Sequence, residues 1–133
     1  MRPMYTAEAE AYREKVQAFL AEKLPTNWKG MGTLEGQALT DFVTDWRRVL
    51  FEADYLAPGW PREYGGAGLS ALEQVIIGEE FAKAGVPTGG PNDVFGIQML
   101  GITLLQWGTE EQKRRYLPRI LSGEDVWCQG YSE

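Results

Sequence analysis

Apolar residues recur at intervals of three and four over most of this chain, the spacing of one face of an α-helix. Thr6 stands where an N-cap belongs, with Glu8 and Glu10 in the turn after it. Ala9, Tyr12, Val16, Phe19 and Leu20 then keep helical register until Pro25 ends the pattern. A second periodic stretch runs from about Leu34 to Asp54. Leu39, Phe42, Val43, Trp46, Val49, Leu50 and Ala53 form its stripe, while Asp41, Asp45, Arg47, Arg48 and Glu52 face water. Ser70 and Glu73 form a capping box that opens a third helix, reaching Ala84 through Leu72, Val75, Ile76 and Phe81.

The fourth helix, from Pro91-Asn92-Asp93 to Trp107, is apolar almost all round and is expected to be buried on every side. Gly96 and Gly101 interrupt it at about 1 kcal/mol each relative to Ala, which suits a site where another backbone or a ligand approaches closely. Gly108 closes it. Thr109 and Gln112 make a second capping box for a fifth helix that turns Tyr116, Leu117, Ile120 and Leu121 inward. Pro118 predicts a kink or break near Leu117.

Two loops and the C-terminal segment do not follow this pattern. Residues 57–69 hold two prolines, four glycines and the aromatic rings of Trp60 and Tyr64, the mark of an irregular but packed loop. Its glycines lack the preceding strand, the G-x-G-x-x-G spacing and the following Lys-Ser/Thr of a phosphate cradle. Residues 127–133 alternate aromatic with small or polar groups, as a half-buried strand does. A lone strand cannot satisfy its own backbone. The expected fold is therefore all-α, with about five helices over residues 1–122, and residues 123–133 begin a β-domain of a larger protein.

Composition narrows the chemistry. The net charge of −6 carries no run of like charges, which argues against a nucleic-acid backbone or an anionic membrane as partner. Lys113-Arg114-Arg115 is balanced by Glu110 and Glu111 on the same helix and reads as a solvated face. With no His, the chain holds neither a Ser-His-Asp nor a Cys-His nucleophile, nor the common zinc sites, so no metal is expected. A single cysteine, Cys128, excludes an internal disulfide, suits a reducing cytoplasm and is expected to be buried and inert. Met1-Arg2-Pro3-Met4 lacks the apolar core of a leader and no 18-residue apolar stretch occurs, so neither export nor a membrane span is expected. Glu79-Glu80 looks like a catalytic pair. Adjacent helical residues diverge by about 100°, however, which favours one solvated acid and one interhelical contact.

Several segments in order carry a resemblance. Pro58-Gly59-Trp60-Pro61 with Tyr64-Gly65-Gly66-Ala67-Gly68 is followed by Gly78-Glu79-Glu80-Phe81-Ala82. Gly108-Thr109-Glu110-Glu111-Gln112-Lys113, Tyr116-Leu117-Pro118, Leu121-Ser122-Gly123-Glu124 and Tyr131-Ser132-Glu133 complete the series. No single piece is specific, but the ordered set strongly resembles the N-terminal helical domain of the acyl-CoA dehydrogenases. The resemblance implies α,β-dehydrogenation of an acyl-CoA thioester, FAD as cofactor, an electron-transfer flavoprotein as acceptor and a homo- or hetero-tetramer. It assigns Gln129, Tyr131 and Ser132 to the flavin edge, with Ser132 keeping a hydroxyl where Thr is common. It assigns Phe95 and Met99, four apart on one helical face, to the acyl-pocket wall, although plain core residues would read the same way. It leaves the catalytic Glu beyond residue 133, so no acid of this chain takes that role.

Two other readings stand beside this one. A non-catalytic partner subunit of a heteromeric dehydrogenase would carry the same helices. A cofactor-free helical interaction domain would too, but it should not end on an unsatisfied edge.

Overall fold

The computed structural model describes residues 5–131, and within them the chain is helical throughout its regular structure. Helix α1 (Ala7–Lys23) and helix α2 (Gly36–Glu52) flank a short 3₁₀ turn at Met31–Thr33. A second 3₁₀ turn, Arg62–Tyr64, precedes helix α3 (Ala71–Ala84). A π-helix, Val94–Gly101, continues directly into helix α4 (Ile102–Trp107), and helix α5 (Glu110–Ser122) follows.

The starts and stops have the chemistry the sequence predicts. The Thr6 hydroxyl accepts from the Ala9 amide, and both capping boxes close reciprocally, Ser70 with Glu73 and Thr109 with Gln112. Of the kink or break expected near Leu117, the break does not occur: helix α5 runs on through Pro118. Leu117, Ile120 and Leu121 on either side of that proline are all buried in the core, and their packing outweighs the lost backbone bond.

Aromatic rings dominate the centre. Trp46 meets Phe42 at 5.9 Å, Phe19 at 6.2 Å and Phe81 at 6.2 Å between centroids. The indole nitrogens of Trp28 and Trp46 donate to the Ala84 and Pro87 carbonyls at 2.7 and 2.9 Å, so these bulky rings are buried without orphaned donors. The loop over residues 57–69 is packed, with Trp60 and Tyr64 buried. The Tyr64 hydroxyl donates to both Glu110 carboxylate oxygens. That bond, reinforced by burial, pushes the phenol up to about 12.

Glu79 and Glu80 turn out to act together. Arg13 of α1 donates to Glu80 at 2.7 Å and to Glu79 at 2.9 Å, spanning their divergence with its two terminal nitrogens. Tyr5 adds a hydrogen bond to Glu79, and Gln17 and Lys83 bond Glu80, which is only 5% exposed. Burial pushes the Glu80 carboxyl up, but its bonds to Arg13, Lys83 and Gln17 together hold it below the ordinary carboxylate range. The Glu79 carboxyl is held low by Tyr5 and Arg13. This cluster joins α1 to α3.

The helix expected to be buried on every side is not. Val94, Met99 and Ile102 are exposed, and Trp107 is 79% exposed at its C-terminal end. Cys128 is exposed as well, against the expectation of a buried thiol. Among the described residues no helix is long and apolar enough to cross a membrane, and no cluster of acids and cysteine is placed to hold a metal ion.

Candidate functional site

The π-helix presents two different faces. One lines a cleft of about 690 Å³, a volume typical of small-molecule sites. Its walls are the loop from Tyr55 to Trp60, the Gln74–Gly78 side of α3, residues 87–90, and Val94, Ile97, Gln98, Ile102 and Leu105. Trp60 fits under this helix only because residue 101 has no side chain. A Cβ there would lie 2.1 Å from the Trp60 ring and 3.1 Å from the Gly96 carbonyl. The π form is rare and concentrates at functional positions.

Phe95 and Met99 do not line this cleft. Phe95 is half-buried, and Met99, 42% exposed, faces outward. They share one side of the π-helix, as their spacing predicts.

The segment after α5 lies next to the start of that same helix. Arg119 clamps Asp125 with two 3.0 Å bonds, and the Asp125 amide donates to the Arg119 carbonyl at 3.2 Å. The bonds to Arg119 outweigh partial burial and hold the Asp125 carboxyl below its ordinary range. Trp127 then stacks edge-on against Tyr116 at 5.8 Å, and the Asn92 amide donates to the Trp127 carbonyl at 3.2 Å. A cavity of about 210 Å³ lies between the helix start and this segment, lined by Arg47, Asn92, Gly96 and Trp127 among others. The buried Trp127 indole nitrogen has no hydrogen-bond partner among the described residues.

Gln129 and Tyr131 follow on an exposed run of chain, Tyr131 at 85% exposure. Ser132 lies outside the described residues. The run forms no ladder among the described residues, since strand pairing needs a second strand. Its main-chain amides from Val126 to Tyr131 bond no group among the described residues. Exposed main-chain amides of this kind can donate to an acceptor brought against them. Asn92, the Arg119–Asp125 clamp and the Trp60–Gly101 contact escaped sequence reading, because each joins residues that the local patterns do not connect.

The comparisons agree with this geometry. The family model for the acyl-CoA dehydrogenase N-terminal domain matches residues 6–124. The acyl-CoA dehydrogenase IpdE1 of Mycolicibacterium smegmatis is 37% identical over 130 residues, covering 95% of this chain and 33% of the relative. FadE26 of Mycobacterium tuberculosis, also an acyl-CoA dehydrogenase, is 33% identical over 100% of this chain and 33% of its own length. Among solved structures, the ChsE4-ChsE5 complex of Mycobacterium tuberculosis matches at TM-score 0.69 and 34% identity, over 100% of this chain and 32% of that one. The Tcur3481-Tcur3483 steroid ACAD matches at TM-score 0.67 and 33% identity, over 95% and 32%. The chain thus spans about a third of the length of the relatives it matches. On the matched residues and the shared helical fold, the chain belongs to the acyl-CoA dehydrogenase family, whose N-terminal domain it carries.

Proposed function

We propose that these helices form one wall of the active site of an FAD-dependent acyl-CoA dehydrogenase that introduces a double bond between Cα and Cβ of an acyl-CoA thioester. The observation that carries this reading is adjacency. The start of the helix bearing Phe95 and Met99 is bonded through Asn92 to the segment bearing Gln129 and Tyr131, so chain-binding and flavin-binding surfaces would share one edge. Residues 1–122 make the helical domain in this reading, and 123–133 lead into a β-domain. A family match ending at residue 124 is consistent with that boundary.

Phe95 and Met99 are apolar groups suited to an acyl tail, and each methylene they bury contributes about 0.8 kcal/mol. Main-chain amides around Gln129 and Tyr131, with the Ser132 hydroxyl, would hold the flavin edge. FAD, when bound, supplies the hydride acceptor. Removal of the α-proton requires a free carboxylate, and Glu79 and Glu80 are unsuited to it because both are engaged by Arg13. In this reading the base lies beyond residue 133, as the resemblance to the family implies. An electron-transfer flavoprotein is the acceptor in this reading, and the compartment is the cytoplasm.

A second reading, a non-catalytic subunit paired with a catalytic one, is favoured by the two-component make-up of the two solved neighbours named above. The likeness to a steroid ACAD makes bulky polycyclic acyl-CoA thioesters the substrates to try first. The test is to incubate the full-length protein, alone and co-expressed with a candidate partner, with acyl-CoA and an artificial electron acceptor. Formation of 2-enoyl-CoA is expected. Its absence across straight-chain, branched and polycyclic substrates in both preparations would overturn the proposal.

A further inference from the structure

We infer that Asn92 is a positioning residue for flavin binding: its side chain fixes the main chain from which the flavin-contacting amides extend. The inference rests on the function proposed above. The Asn92 carbonyl accepts from the Phe95 and Gly96 amides at 3.1 and 3.2 Å, so its backbone belongs to the first turn of the π-helix. Its side chain reaches 35 residues along the sequence to the Trp127 carbonyl at 3.2 Å. A carbonyl needs a donor, so the amide nitrogen must face it.

Four residues further on, Gly96 handles the ring of the same tryptophan. A Cβ at residue 96 would lie 3.0 Å from Ile120 Cγ2 and 3.8 Å from Trp127 Cδ1. The indole nitrogen has no acceptor among the described residues, so packing alone seats the ring and leaves the chain direction unset by it. The bond from Asn92 to the Trp127 carbonyl supplies that direction. Beyond it, the described chain carries no further backbone hydrogen bond to the helices before Gln129 and Tyr131. The bond thus ties the start of the helix that bears Phe95 and Met99 to the carbonyl from which the chain runs on to Gln129 and Tyr131.

The experiment titrates full-length apoprotein with FAD, comparing wild type with Asn92→Ala and with Asn92→Asp, which keeps the shape but removes the donor. Losing one neutral hydrogen bond should raise the FAD dissociation constant about three- to tenfold in both variants. The melting temperature of the apoprotein should stay where it is, because this hydrogen bond is exposed. Variants that bind FAD like wild type would overturn the role of Asn92 and leave the proposed function standing. Variants whose apoprotein melts early with unchanged FAD affinity would also overturn it, showing a fold contact only. Wild-type apoprotein that takes up no FAD would instead overturn the proposed function, and this inference with it.

Discussion

Arg47 and Asp93 form a two-pronged ion pair, with the guanidinium Nε and Nη2 each donating to a different carboxylate oxygen at 2.9 Å. The same guanidinium donates at 3.1 Å to the Ile120 and Leu121 carbonyls at the end of α5, while Asp93 accepts from the Gly90 amide at 2.6 Å. One side chain from α2 thereby satisfies the C-terminal carbonyls of α5 and fixes the residue from which the π-helix starts. Both surfaces proposed for ligand contact hang from this junction.

Arg47→Met should therefore destabilise the domain by about 2–3 kcal/mol, since it strands a mostly buried carboxylate and two helix-end carbonyls. Arg47→Lys should recover less than half of that, because an ammonium cannot match the forked geometry. Urea denaturation of the wild type and the two variants measures both values. An Arg47→Lys protein as stable as the wild type would show that charge alone suffices.

Gly101→Ala should cost about 1–3 kcal/mol through overpacking, because the new methyl and the Trp60 ring cannot both keep their places. The ring must shift into the cleft it floors, and tryptophan emission should move with it. A Gly101→Ala protein with unchanged stability and emission would contradict the close approach of residue 101 to Trp60.

Much of this fold was legible because its signals are local. Thr6, Ser70-Glu73 and Thr109-Gln112 mark helix starts within four residues, and Gly108 ends the helix that closes at Trp107. The π form of residues 94–101 was not legible. Its glycines announce close approach without saying to what, and the answer, Trp60, lies on a distant loop. Exposure of Trp107 and Met99 escaped for a related reason. Periodicity reports how apolar a helix is, whereas burial depends on what packs against it. Pro118 misled in the opposite direction, because core packing on both sides overrode a local propensity.

Acid should loosen α1 from α3. The folded-state pKa values of Glu79 and Glu80 lie below the ordinary value of 4.5. Their contribution to stability is therefore complete above that value and is lost as pH falls through the lowered folded-state values. Stability measured from pH 7 downward should fall below about pH 4.5. An Arg13→Met protein should start lower and show a flatter acid limb. Parallel acid limbs in the two proteins would exclude Arg13 as the source of the dependence.

Phe95 distinguishes pocket from core. Because it is half-buried, Phe95→Ala should cost less than the 3–5 kcal/mol typical of a fully buried phenylalanine, about 1–2 kcal/mol. If it lines the acyl tail, the same change in the full-length enzyme should shift kcat/KM toward longer or bulkier acyl groups, about fourfold per added methylene. Melting temperature and kcat/KM across an acyl series separate the two roles. A destabilised enzyme with an unchanged order of preference would return Phe95 to the core.

The most direct measurement is the visible absorption of the full-length protein, purified alone or with a candidate partner subunit and mixed anaerobically with acyl-CoA. Bound oxidised flavin that is bleached on mixing, with 2-enoyl-CoA recovered in proportion to the flavin reduced, is the predicted result. Protein that carries no flavin, or flavin that no acyl-CoA bleaches in either preparation, would contradict the account.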